Sequence, residues 1–147
     1  MKNRFAAVAA GSLVVIGLAG CSSRPPLPPQ PPGALPPLTA HVTVAGQDAG
    51  TTHDVWCTQV GWSHTFDIGD KASGTTMVVD AGNQVTARSV EIRNIAGFTG
   101  SVSAGTFGNA QATITGHTFT VTGTALGYMA DQPRNRVPQQ FTIKVNC

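Results

Sequence analysis

The chain has 147 residues, about one domain's worth, with 11% charged residues, 6% aromatics and eight of its ten prolines crowded between Pro25 and Pro37. That composition excludes a coiled coil, a charge-driven disordered chain and a multi-domain enzyme. Loss of Lys2 and Arg4 with an N-terminal leader would leave seven basic against seven acidic residues, and without clustered Lys and Arg to release counterions no nucleic-acid partner is expected.

Residues 1–20 read as a lipoprotein signal peptide. A basic start, Met1-Lys2-Asn3-Arg4, precedes an apolar run from Phe5 to Leu18 that ends in Leu18-Ala19-Gly20-Cys21. As a helix that run reaches about 20 Å, short of the roughly 30 Å hydrocarbon core, so it fits a leader and not a lasting membrane span. The small residues before the cysteine suit the narrow cleft of a signal peptidase, and the Leu-Ala-Gly-Cys order resembles the lipobox of bacterial lipoproteins. By that resemblance Leu18, Ala19 and Gly20 are read by the peptidase. Cys21 then receives a diacylglyceryl thioether, becomes the new N-terminus and gains an amide-linked acyl chain. A thiolate is the most nucleophilic side chain for that transfer. Each buried methylene contributes about 0.8 kcal/mol and a single chain holds only marginally, so multiple chains are needed for a firm anchor. The plainer reading, an ordinary secretory signal with a chance cysteine, leaves the position of Cys21 unexplained. The expected location is the extracytoplasmic face of the cell membrane, with the covalent diacylglycerol and N-acyl chain as the only non-protein groups.

Residues 21–40 form a linker. Proline fixes φ and lacks the amide donor, so Ser22–Leu38 is expected to be extended polyproline II, a stalk of roughly 50 Å. A docking motif for an aromatic groove is the alternative reading.

From His41 to Cys147 the pattern has period two. Trp62, His64, Phe66 and Ile68 alternate with Ser63, Thr65 and Asp67; Phe119 and Val121 alternate with Thr118, Thr120 and Thr122; Phe141, Ile143, Val145 and Cys147 alternate with Thr142, Lys144 and Asn146. Such alternation gives strands with one apolar face and one wet face. Further strands are expected at His41–Ala45, Asp54–Gln59, Thr75–Asp80, Gln84–Asn94, Phe98–Ala104 and Ala110–Thr115, punctuated by glycine turns. Residues 41–147 therefore read as one all-β domain, a small antiparallel β-sandwich or flattened barrel. With Cys21 acylated, Cys57 and Cys147 remain as an even pair in an exported chain, and a disulfide is the default. It would contribute about 4 to 5 kcal/mol in the chain-entropy model and tie down the C-terminus. The phase of each cysteine with Val55 and Val145 places both thiols toward the core.

Several segments carry a more specific likeness. Val55-Trp56-Cys57, the stretch Ser89 to Phe98, Gly108 to Thr113, Thr122 to Ala125 and the closing Phe141 to Cys147, in that order behind a low-complexity stalk, resemble the mycobacterial nineteen-kilodalton lipoprotein antigen family of the LpqH type. The resemblance implies a cell-envelope lipoprotein exposed to the host, recognised by innate receptors through its acylated N-terminus, with no established enzymatic activity. Members often carry an O-mannosylated Thr/Ser-rich stalk, whereas this one has only Ser22, Ser23 and Thr39, so heavy stalk glycosylation is not expected.

Enzymatic and metal chemistry find little support. Gly61-Trp62-Ser63-His64-Thr65 nearly matches a nucleophile elbow but ends in Thr and lies in an alternating strand. The histidines at 41, 53, 64 and 117 lack zinc-site spacing, so no metal is expected. His64 reads as a half-buried residue, and Asp70 as a turn residue bonding its own backbone beside Asp67. Arg134 and Arg136, between Pro133 and Pro138, are expected on an exposed irregular loop, where they could attract an anionic envelope glycan. The runner-up function is a carrier holding an apolar lipid between its sheets, prompted by small inward residues such as Ala87, Ala110 and Ala112.

Overall fold

The computed structural model describes residues 28–147. Leu18, Ala19, Gly20 and Cys21, and with them the leader, lie outside the described residues. The rest is all-β, as the alternation requires: β1 (Thr39–Val44), β2 (Gln47–Thr52), β3 (Val55–Val60), β4 (Ser63–Gly69), β5 (Gly74–Ala81), β6 (Val85–Ile95), β7 (Phe98–Ser103), β8 (Asn109–Thr115), β9 (Thr118–Met129) and β10 (Gln132–Asn146). All pairings are antiparallel, and the strands join one sheet in the order β2-β1-β10-β9-β7-β6-β5-β4-β3, with β8 pairing β9 off this path.

That single sheet folds over on itself. Phe66 of β4 and Phe119 of β9 stand four strands apart in the order, yet their ring centroids are 4.8 Å from each other. The two halves thus face one another as the layers of a sandwich. Between them lie Val42, Val44, Phe66, Ile68, Met77, Val79, Val90, Ile92, Phe98, Val121, Ile143 and Val145, each at most 4% exposed. Fully burying such side chains stabilises by about 1.5–3 kcal/mol apiece. Ala87 is buried in the same cluster, and Ala110 and Ala112 pack against it.

One strand escapes the alternation, and two expectations are corrected. Strand β2, Gln-Asp-Ala-Gly-Thr-Thr, has no apolar alternation, so its sequence gives no strand signal. It forms because Ala45 (φ 54°) and Gly46 (φ 75°) make a tight turn with positive φ at both central residues, which folds the chain back onto β1. Arg134 and Arg136 are exposed as expected, but within β10 and not in an irregular loop, where the register against β9 shifts between Gln132 and Val137. Trp62 does not share the inward face of Phe66. Gly61 turns the chain at φ 60°, β4 starts only at Ser63, and the Trp62 ring lies by Gly82 instead of in the core.

The disulfide joins Cys57 of edge strand β3 to Cys147, just past the end of β10, with Cα atoms 6.3 Å apart. It sits at the rim and not in the core: Cys57 is half-buried and Cys147 exposed. The phase argument fails for Cys147 because the strand, and with it the alternation, stops at Asn146, which is itself buried.

Candidate functional site

The end of the domain nearest the N-terminus is built from the second half of the proline-rich run. This part is not a uniform extended rod. Ala34 N–H donates to the Pro31 carbonyl at 3.0 Å, closing a turn through Gly33 (φ 85°). Leu35, one of the few residues of the run with an amide proton, donates it to Thr118 Oγ1 at 2.8 Å. Asn146 Nδ2 donates to the Leu35 carbonyl, and the Thr39 hydroxyl to the Pro37 carbonyl at 3.1 Å. Thr39, Thr118 and Asn146 are three of the four buried polar residues among the described residues, and these bonds explain why polar side chains are tolerated there. The docked segment satisfies them.

Beside this segment, Gly116, His117, Asn146 and Cys147 form a groove with Pro28, Pro29 and Pro31. Gly116, His117 and Cys147 also border a second groove of about 520 Å³, walled by Cys57 and Gln59 of β3 and by Ile114. Its floor is aromatic. The His64 ring stacks on Phe66 at 6.1 Å between centroids and tilts against Phe119 at 4.9 Å. His64 is half-buried, as its position in the alternation indicates.

Strand geometry separates the residues of the near-elbow. Ser63 and His64 are neighbours on β4, so their side chains leave opposite faces of the sheet and cannot act as nucleophile and base on one substrate. The other histidines are likewise dispersed. His41 Nε2 lies 3.0 Å from Asp48, His53 Nδ1 is 3.2 Å from the Thr39 hydroxyl and from the Leu38 carbonyl, and His117 is at the groove. Among the described residues no group of three or more His, Cys, Asp or Glu is placed to hold a metal ion.

Asp70 caps its own turn: its Oδ1 accepts from the Ala72 and Ser73 amides, both at 2.7 Å. Those bonds, that from Ser73 foremost, hold its carboxyl below the ordinary value. Asp67 instead accepts from the Thr76 hydroxyl at 2.7 Å, which in turn accepts from Arg93 Nη1 at 2.8 Å. Neither arrangement leaves a cage of oxygens.

What sequence reasoning missed is apolar surface. Trp56, Val60 and Trp62 are 74%, 76% and 74% exposed. Trp56 and Val60 share the outer face of β3, two and four residues being the same parity on a strand. The available signal was an uncharged edge hairpin from Val55 to Phe66.

Comparison with known proteins identifies the family. Residues 33–147 match the model of the family described as Mycobacterium 19 kDa lipoprotein antigen. A lipoprotein of Mycobacterium indicus pranii is 44% identical over 149 residues, covering all of both chains. Lipoprotein LpqH of Mycobacterium tuberculosis is 33% identical over 153 residues, covering 96% of this chain and 95% of its own. LppE, named as a lipoprotein of the same species, is 33% identical over 149 residues and the full length of both. With a family model matched over the whole domain and full-length relatives above 30% identity, the chain belongs to the mycobacterial 19 kDa lipoprotein antigen family.

Proposed function

We propose that this envelope lipoprotein is held at the extracytoplasmic face of the cell membrane by acyl chains on Cys21 and acts as a non-enzymatic interaction and antigen protein. The observation that carries the reading is Leu18-Ala19-Gly20-Cys21 placed directly after an apolar leader, in a chain whose family is named for lipoproteins. In this reading, peptidase cleavage before Cys21 frees an amine for the third acyl chain. The acyl groups partition into the bilayer or, when extracted, into the apolar cleft of a host innate receptor. The disulfide-bridged domain presents a rigid surface, with Arg134 and Arg136 offered to an anionic envelope glycan.

The test is Cys21→Ala in the producing cell. It should abolish labelling by a palmitate analogue and move the protein from the membrane to the soluble fraction. Unchanged membrane retention without label would refute the anchor.

The groove above the His64–Phe66–Phe119 cluster favours a second reading, a carrier of an apolar ligand. It predicts bound lipid on the domain in native mass spectrometry. A ligand-free spectrum from envelope-derived protein would exclude it.

A further inference from the structure

The two ends of the sandwich differ in charge. In the meander β3-β4-β5-β6, the β3–β4 and β5–β6 turns lie at one end, and the β8–β9 turn joins them there: Gln59, Ala81, Gly116 and His117 border one groove. The docked prolines reach the same place, since Gly116 and His117 also line the groove beside Pro28 and Pro31. No Asp, Glu, Lys or Arg occurs in Val55–Phe66, Ala81–Ala87 or Asn109–Thr120; the nearest charges, Asp80 in the groove beside Val60 and Trp62 and Arg88 next to it, neutralise each other as an ion pair at 3.1 Å. The opposite end carries Asp70 and Lys71 between β4 and β5, and Asp131, Arg134 and Arg136 around the β9–β10 turn.

This end, which carries no net charge, also exposes large apolar side chains, among them two of the three most exposed in the described residues. Val60 and Trp62 flank the β3–β4 tip, and Ile114 closes β8. The tip is held rigidly: Gln59 Nε2 donates to the Gly61 carbonyl at 3.0 Å and Ala81 N–H to the Trp62 carbonyl at 2.8 Å. Clustered exposed apolar groups mark a contact surface. Tryptophan favours the level where lipid headgroups meet acyl chains, and charged side chains are costly just below it.

The point where the chain leaves the described structure identifies the occupant. Seven residue steps, through Ser22 to Leu27, separate Cys21 from Pro28. Even fully extended they span at most about 25 Å, less than the roughly 35 Å diameter of a domain this size. An anchor at Cys21 would therefore hold this net-neutral end against the bilayer at high effective concentration. We infer that this end of the domain rests on the lipid surface, with Trp62 and Val60 seated at the boundary between headgroups and acyl chains. The inference rests on acylation of Cys21 and adds the orientation: the charged end, with Arg134 and Arg136, faces away from the membrane.

The two tryptophans supply the test. The natural acylated chain is reconstituted into phosphatidylcholine–phosphatidylglycerol vesicles carrying brominated acyl chains, and flotation is measured alongside emission. Trp56 lies about 13 Å up β3 from Val60 and serves as the reference. Because both rings are exposed, replacing either by Phe leaves the core untouched. In Trp56→Phe, the remaining Trp62 should shift to the blue and be quenched about twofold, as a residue at the interface should be. In Trp62→Phe, Trp56 should change little. Floating protein with equal or absent quenching of the two overturns the orientation and leaves the anchor standing. Protein that does not float overturns the anchor, and the orientation with it. Emission of Trp62 that responds to a soluble neutral polysaccharide without vesicles assigns the surface to glycan and overturns the bilayer.

Discussion

Strand β2 ends the sheet at one edge and β3 at the other, and the two are built from opposite materials. The residues of β2 are polar or small and almost wholly exposed, and its register against β1 slips between His41 and Thr43. Polarity and a bulge are ordinary ways to keep an edge from pairing with another chain. Strand β3 instead carries Trp56 and Val60 outward and is bonded covalently to Cys147. One edge is protected by being unattractive; the other is apolar, pinned in place and, in the orientation inferred above, directs only its Val60 end toward the membrane.

Breaking the β3 pin should have the largest effect. The double variant Cys57→Ser/Cys147→Ser is expected to lose about 2–5 kcal/mol, as small exported domains do when a native bridge is removed, read as a fall in thermal midpoint that reductant reproduces in the natural protein. An unchanged midpoint would mean that the β4 ladder holds β3 unaided.

A smaller loss is expected where the proline segment docks. Asn146→Ala removes the donor to the Leu35 carbonyl at a buried position, costing about 1–3 kcal/mol. Hydrogen exchange should accelerate at Ala34 and Leu35 first, because their amides are tied into the same turn and dock. Uniform acceleration across the domain would contradict a locally docked segment.

The smallest effect belongs to the β2 edge. Asp48 Oδ1 accepts from the Gly50 amide at 2.7 Å, and this bond, aided by the charge of nearby His41, holds its carboxyl below the ordinary 3.8. A carboxylate with a depressed folded-state value stabilises the fold above its unfolded value, and that contribution is lost as pH falls through the folded one. Asp48→Asn should therefore slightly lower stability at neutral pH and converge with the natural protein below the ordinary carboxylate range. A constant gap down to strong acid would show that the side chain acts without its charge.

The same contrast explains how much was legible in the sequence. Strands whose inward residues are branched or aromatic, such as β4, β5 and β6, announce themselves by alternation, and Phe66, Ile68, Met77 and Val79 are buried as that pattern demands. β2 is invisible because its stability comes from a turn and a neighbour's ladder. Cysteine parity gave the correct pair, yet not its place at the rim, because phase stops meaning anything where a strand ends. The docked prolines were hidden for a related reason: a residue-by-residue reading sees that proline cannot donate, but not that Thr118 and Asn146, distant in sequence, wait for the amide and carbonyl of Leu35. For the site, Leu18 to Cys21 stood out through residue order, whereas the tip formed by Val60 and Trp62 needed the fold to show which way its side chains point.

Intact mass of the protein extracted from its own membranes bears most directly on all of this. A chain beginning at Cys21 and heavier than its residues by a diacylglyceryl group and a further acyl chain is the expected result. A chain that retains Met1, or one that begins at Cys21 with a free thiol, would contradict it.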